Sequence, residues 1–369
     1  MVKRRSLAIT LFVTVILCIF PALGIPSEKT MANTSSFEYR PVTALAWSSN
    51  NGLLAIAANE MPEAEDAPFY PKLTVVERAS GNTVLQLPFE QHWSVIESLY
   101  WRESDQEIVA VSTSGQLTRV YAQTGMKEDL WDLIELVSSA SFHPHERVVA
   151  LALNARNGIF VDIRHELTGT QLQRVQFASP SIIDWIGWSP DGSRLAFLNR
   201  AGEGHIYIWD GAAANLERVI PFLPPNSSAI PSGAWSADGT MLAIATLQYR
   251  DPDGQYPARD AIIFSVQTGT ALHSMQGASN VYPIAWSRTR NQIAGVVRNY
   301  GRPTDEISIV VWNGDNGEQV EIRKQNAADA DIIDWASNGD IVVGYTLTYD
   351  QWITNPSTTQ IVFLPPKSE

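Results

Sequence analysis

From about residue 37 onward the apolar positions arrive in short runs, without the three-to-four spacing of an amphipathic helix. What recurs is an apolar strand, an aromatic residue, a polar turn and a second apolar strand. Aligned on the aromatic, the chain holds seven copies, anchored at Trp47, Trp101, Phe142, Trp188, Trp235, Trp286 and Trp335. The anchors stand 41 to 54 residues apart. A period of that length with several short strands per unit predicts a β-propeller. A third strand follows in each unit, such as "HIYIWD" or "AIIFSV". A glycine turn and a more polar fourth strand come next, as in "TGT" at 168–170 and "TVLQLPF". The fold expected is all-β, a seven-bladed propeller of four-stranded antiparallel blades. The last unit has only three strands, and "SSFEYRPV" before the first anchor has no other home. That segment is expected to pair with "IVFLP" and close the ring, because an unclosed ring leaves a sheet edge exposed.

The turn after the anchor reads as scaffold. In "WSPDGSRLAFLN" (188–199), Pro190 presets the backbone of a type I turn, Asp191 suits the next position and Gly192 can take the left-handed conformation. "WSADG" at 235–239 repeats it, and "WSSNNG" at 47–52 and "WASNG" at 335–339 exchange Asp for Asn. A catalytic acid would not be spread over several copies and interchanged with an amide. The longer stretch "WSPDGSRLAFLNRAGEGHIYIWDG" resembles the repeats of TolB-like and WD-repeat propellers, across seven units at about residues 37–365. A Trp-Asp pair ends a third strand only once, at Trp209-Asp210, and no Gly-His dipeptide opens a unit. The resemblance implies the fold and a tendency to bind proteins, with no particular reaction.

The first residues carry a different pattern. Lys3, Arg4 and Arg5 precede an apolar stretch from Leu7 to Phe20, and "PALG" then offers Ala22 and Gly24 to a signal peptidase. Residues 1–24 are read as a signal peptide or an uncleaved N-terminal membrane anchor, 25–36 as a linker and 37–366 as one propeller domain. The expected address is periplasmic, extracellular or envelope-associated, with membrane contact only through an uncleaved leader. Cys18, the only cysteine, lies in the leader, so the exported part would have neither disulfides nor thiol chemistry. The formal net charge is −13, and loss of the three leader cations makes it −16. Such a field disfavours nucleic acid.

Catalytic patterns are missing from the sequence: no H-E-x-x-H, G-x-S-x-G or P-loop occurs. His143 and His145 cluster in the blade-three turn and are read as a solvated turn in preference to a metal site. "DPDG" at 251–254 and "NGDNGE" at 313–318 lack the full calcium-loop spacing and are read as ordinary turns. No metal and no cofactor are expected.

The repeat is broken by long connections between second and third strands, at 60–72, 248–260, 299–306 and 348–359. These belong to units one, five, six and seven, contiguous once the ring closes, and loops of this class emerge on one face. They form an expected crescent of Phe69, Tyr70, Tyr249, Tyr256, Tyr300, Tyr349 and Trp352. Asp251, Asp253, Asp305, Asp260, Glu63 and Asp66 lie among them. Long loops on a rigid scaffold tend to carry function, and Tyr and Trp suit binding surfaces. The function expected is a non-enzymatic, monomeric binding or assembly module for a protein or peptide partner. The alternatives are a propeller enzyme acting on glycans or lactones, a glycan ligand, and a TolB-like envelope assembly factor.

Overall fold

The computed structural model describes residues 35–365 except 38, 61–69, 90–93, 103, 156–157, 178–182, 200–203, 212–214, 223–229, 248–259, 299–305, 328 and 347–358. Residues 1–24, read above as a signal peptide or anchor, lie outside the described residues. Among those described there are strands and turns and no helix.

Seven four-stranded antiparallel sheets make seven blades. After β1 (Ser35–Phe37), blade 1 holds β2 (Tyr39–Trp47), β3 (Leu53–Glu60), β4 (Tyr70–Glu77) and β5 (Thr83–Pro88). Blade 2 holds β6 (Ile96–Arg102), β7 (Glu107–Ser112), β8 (Leu117–Tyr121) and β9 (Lys127–Trp131). Blade 3 holds β10 (Leu136–Phe142), β11 (Val148–Ala155), β12 (Gly158–His165) and β13 (Gln171–Phe177). Blade 4 holds β14 (Ile183–Trp188), β15 (Arg194–Asn199), β16 (His205–Asp210) and β17 (Asn215–Pro221). Blade 5 holds β18 (Ile230–Trp235), β19 (Met241–Leu247), β20 (Asp260–Ser265) and β21 (Ala271–Ser279). Blade 6 holds β22 (Val281–Trp286), β23 (Gln292–Arg298), β24 (Glu306–Asn313) and β25 (Gln319–Asn326). Blade 7 runs β26 (Asp329–Trp335), β27 (Ile341–Thr346) and β28 (Thr359–Leu364). Its fourth strand is β1, with Ser35, Ser36 and Phe37 opposite Ile361, Gln360 and Thr359. Residues 39–42 of "SSFEYRPV" belong instead to β2.

The apolar positions sort by seam. Each of seven core clusters joins two neighbouring blades, because both faces of a propeller sheet are buried. The seam between blades 7 and 1 packs Val42, Leu54, Ile56 and Val76 against Val342, Ile361 and Phe363. Arg78 pairs with Asp340 across it, and Asn51 bonds Ser337. Fourth strands keep exposed apolar residues such as Val84, Leu172 and Val320, as outer edges do.

Every anchor stands at or next to the end of its blade's first strand. Six of the seven are buried, and Trp47 is half-buried. The following turns use one chemistry. Asp191 accepts from the Ser189 hydroxyl and the Ser193 N–H, and Asp238 does the same for Ser236 and Thr240. Gly192 has φ +73°, and a Cβ there would meet the His143 ring at 2.3 Å, so only glycine fits.

Candidate functional site

The first strands line the central channel and lie side by side around the ring. Their anchor ends are tied by a repeated bond. The Trp101 indole N–H donates to Ala46 O (2.8 Å), Trp235 to Gly187 O (2.9 Å) and Trp335 to Ala285 O (3.1 Å). In each case the acceptor is the residue just before the anchor of the preceding blade. These bonds align the first strands in parallel and put all the anchor turns on one face. Second-to-third-strand connections leave from the other.

The tie fails at particular seams. Trp286 turns to Asn291 Oδ1 of its own turn (3.1 Å), and Phe142 has no N–H to offer. The indole N–H groups of Trp47 and Trp188 are buried with no hydrogen-bond partner among the described residues. A buried donor left unpaired costs on the order of 1–3 kcal/mol. At both seams the residue before the preceding anchor is polar, Asp334 for Trp47 and Ser141 for Trp188, where the three tied seams carry Ala or Gly.

Two cavities open at the anchor-turn end of the channel, of about 520 Å³ and about 610 Å³. Both are lined by Leu99, Tyr100, Pro144, His145, Arg288 and Asp334. Trp47 lines the first, while Trp185, Trp188 and Trp235 line the second. The Trp185 ring lies where Gly187 and Gly233 have no side chain; a Cβ at either would come within 2.8 Å of it. Tyr100 is held by a bond to Pro144 O (3.0 Å) and by the Arg102 guanidinium 4.4 Å from its ring centre. Asp334 is half-buried at the channel mouth and accepts the Trp335 N–H (2.8 Å). Burial pushes its pKa above the usual carboxylate range, and the Arg288 charge and that N–H oppose the shift. Arg288 itself is exposed and makes no ion pair within contact distance among the described residues.

Deeper in the channel the first strands carry bulges. The register shifts between Ile96 and Ser98, Ile183 and Trp185, Val281 and Ile284, and Ala330 and Ile332. Bulges re-aim side chains, and here they fall at Glu97, Asp184, Tyr282 and Asp331, the fifth residue of each anchored repeat counted back from the aromatic. Burial raises the Glu97 carboxyl to about 8, so it is largely protonated at neutral pH. The Tyr282 hydroxyl is raised too, first by burial and then by Glu97, with Asp331 and Asp184 adding to it and Arg298 opposing. Arg298 ties the two neighbouring bulges, donating to Tyr282 O (2.8 Å) and Ala330 O (3.0 Å). Among the described residues, no three acidic, histidine or cysteine side chains converge as a metal site requires.

Of the expected crescent, Tyr70 opens β4 opposite Glu60 and is 39% exposed. Asp260 opens β20. Phe69, Tyr249, Tyr256, Tyr300, Tyr349, Trp352, Asp251, Asp253, Asp305, Glu63 and Asp66 lie outside the described residues. The solvated reading of the blade-three turn needs correction at His143, which is 7% exposed. Its Nδ1 accepts the backbone N–H groups of His145 (3.2 Å) and Glu146 (2.9 Å), and its Nε2 stands 3.0 Å from Gly192 O. Nδ1 being an acceptor, Nε2 carries the hydrogen and donates to blade 4. His143 thus does the work of Ser287 in blade 6, whose Oγ accepts from Thr289 and Arg290, and it clamps a seam as well.

The mouth residues were absent from the expected site, although a signal for them exists. Tyr100 and Asp334 occupy the position just before the anchor, where four blades carry Ala or Gly and a fifth Ser. Arg288 is the only basic residue two places after an anchor.

Neither family models nor curated proteins match this sequence. Among solved structures, a chain of the crystal structure of a mitotic checkpoint complex superimposes with a TM-score of 0.64 at 15% identity. The match covers 99% of this chain and 100% of that one. At such identity the likeness establishes the fold alone.

Proposed function

We propose that this protein is an exported, non-enzymatic propeller serving as a protein-binding or assembly module, with its recognition face on blades 5, 6, 7 and 1. One observation carries the reading. In blades 2, 3 and 4 the third strand begins within six residues of the end of the second, as in β7 to β8 and β11 to β12. The corresponding connections in blades 1, 5, 6 and 7 span 61–69, 248–259, 299–305 and 347–358. Four neighbouring blades therefore lengthen the same connection at the same end of the channel. Extra chain on a rigid scaffold is where binding residues accumulate. That a chain of this fold occurs in a complex supports a protein partner. Export rests on the leader pattern, and a TolB-like role in envelope assembly differs from this reading mainly in its partner.

Affinity capture from envelope extract tests it. Wild type should recover a partner that the Tyr249→Ala, Tyr300→Ala, Trp352→Ala triple variant does not; equal capture by both would remove the crescent. A second reading, an enzyme acting on glycans or lactones, draws on the neutral Glu97 carboxyl lodged in the channel near Tyr282, Asp184 and Asp331. Turnover in a glycan and lactone screen, lost in Glu97→Gln, would favour it.

A further inference from the structure

Trp185 breaks the repeat, and so does its seat. Three places before the anchor, four other blades carry a small residue, Ala44, Ser98, Ser139 or Ser232. Blade 4 carries Trp185 there, directly after the bulge at Asp184 that re-aims the strand. Two places before the anchor, five blades carry Leu or Ile, whereas blade 5 carries Gly233. The two departures belong together. A Cβ on Gly233 would stand 2.8 Å from the Trp185 ring, and one on Gly187 would stand 2.5 Å from it. The indole therefore rests on the bared backbone of two neighbouring first strands, β14 and β18. Packing alone gives no reason for the exchange. A strand glycine costs backbone entropy and gives the seam no side chain, while Trp185 itself stays half-buried. The uncovered part of the ring lines the larger mouth cavity, of about 610 Å³.

Two charged groups share that cavity with the ring, Arg288 of blade 6 and Asp334 of blade 7. The Arg288 charge acts on Asp334, yet no ion pair joins the two among the described residues. Asp334 holds the Trp335 N–H on one oxygen and has no further hydrogen-bond partner among the described residues. The other charges near the mouth are committed. Arg102 and Arg147 both pair with Glu166, and Asp105 accepts twice from Ser49. What the charged groups leave open is one donor and one acceptor of opposite sign.

A ligand suited to this seat has a flat apolar face and rim groups that both donate and accept. A pyranose has both, since its C–H face lies on an indole and each hydroxyl can give a hydrogen and take one. A proline or aromatic ring stacks as well but carries no such groups. An anion meets Asp334 and the net charge of −13, and a cation meets Arg288. We infer that the anchor-turn mouth binds a neutral oligosaccharide, one pyranose stacked on Trp185 and nearby hydroxyls meeting Arg288 and Asp334. The site lies on the face opposite the long loops. It needs neither those loops nor any turnover at Glu97, deeper in the channel.

The test uses the full chain labelled with ¹⁵N at its 12 tryptophan indoles. Trp185→Phe identifies the Trp185 resonance by its disappearance. The probes are cellotetraose, maltotetraose and chitotetraose, with tetragalacturonate and the glucosamine tetramer as anionic and cationic controls. At least one neutral tetrasaccharide should shift the Trp185 resonance and bind about tenfold more tightly than either charged one. Trp185→Ala and Arg288→Gln should each weaken that binding about tenfold, and Arg288→Gln, on an exposed turn, should leave the melting temperature alone. Glu97→Gln and the Tyr249→Ala, Tyr300→Ala, Trp352→Ala triple variant should bind the sugar as wild type does. If no neutral tetrasaccharide shifts that resonance, if Arg288→Gln binds as tightly as wild type, or if a charged tetramer binds best, the site is overturned. Should Trp185→Ala not fold, the Trp185 resonance and Arg288→Gln decide without it. Loss of sugar binding in the triple variant would also overturn this site, while leaving the long-loop face standing.

Discussion

The indole N–H of Trp235 donates to the carbonyl of Gly187, 2.9 Å away in the preceding blade. Neither residue is exchangeable. A Cβ on Gly187 would stand 2.5 Å from the Trp185 ring, and the Trp235 ring fills the seam core with Ile208, Ile220 and Phe264. Trp235→Phe keeps most of that area and loses the bond to the Gly187 carbonyl. It should cost about 1 kcal/mol, against roughly 3–5 kcal/mol for Trp235→Ala. Urea unfolding at constant m-value would measure both. Equal costs for the two variants would show that the bond, and not the packing, holds this seam.

His143 ties stability to pH. Its ordinary value of 6.5 is lowered, mainly by burial and further by the His145 and Arg102 charges, with the Gly192 carbonyl and Glu146 pulling the other way. Protonation would put a hydrogen on Nδ1, which faces two backbone N–H groups. The folded state therefore binds this proton less readily than the unfolded chain. The stabilisation is complete above pH 6.5 and is lost as the pH falls from there toward the lowered folded value, at no more than about 1.4 kcal/mol per pH unit. His143→Gln cannot titrate at this position. The stability advantage of wild type over His143→Gln should shrink between pH 7.5 and pH 5. A constant difference over that range would contradict the assignment.

The blades were legible because each places a large aromatic at or next to the end of its first strand, buried or half-buried at a seam. Trp101, Trp235 and Trp335 bond backward to the residue preceding the last anchor, so the aromatic and the small residue before it recur together. The turn chemistry was legible for the same reason, since Asp191 and Asp238 make the same bonds. The channel mouth was not. Tyr100, His145, Arg288 and Asp334 come one each from blades 2, 3, 6 and 7. Each is a departure from the repeat in a different unit, and only ring closure brings them around one opening. The bulges at Glu97 and Asp184 did leave a trace, because the buried positions slip there from a spacing of two residues to three, from Ile96 to Leu99 and from Ile183 to Ile186.

Glu166 is fully buried where blades 2 and 3 meet. Its Oε2 accepts from Arg102 Nε (3.0 Å) and Nη2 (2.7 Å), its Oε1 from Arg147 (2.8 Å), and its backbone oxygen from the Trp131 indole (2.6 Å). Arg102 is 8% exposed, so removing the carboxylate leaves a buried cation without its counter-charge. Glu166→Gln should destabilise by about 3–5 kcal/mol. Glu217→Gln, which breaks the far more exposed pair with Arg194, should change stability by no more than about 1 kcal/mol. Equilibrium denaturation of the two variants side by side gives the comparison. Similar losses would mean that Arg102 finds other compensation at the seam.

Only three residues of the N-terminal segment lie on the edge of blade 7. Ser35–Phe37 pair with β28, whereas Tyr39 onward already belongs to blade 1. A deletion of residues 34–37 therefore tests the closing strand without touching blade 1. With β1 gone, the outer edge of β28 presents unpaired N–H and C=O groups at Thr359, Gln360 and Ile361, a template for pairing with another chain. Two effects should appear together. The melting temperature should fall by roughly 2 °C for each kcal/mol lost, as in a domain of this size. Light scattering should also show concentration-dependent association that the intact chain lacks. The core of the 7–1 seam and the Arg78–Asp340 pair remain in the deleted protein, so the ring itself should persist and its circular dichroism should stay that of the intact chain. An unchanged melting curve with no association would mean that the three strands of blade 7 close the propeller by side-chain packing alone.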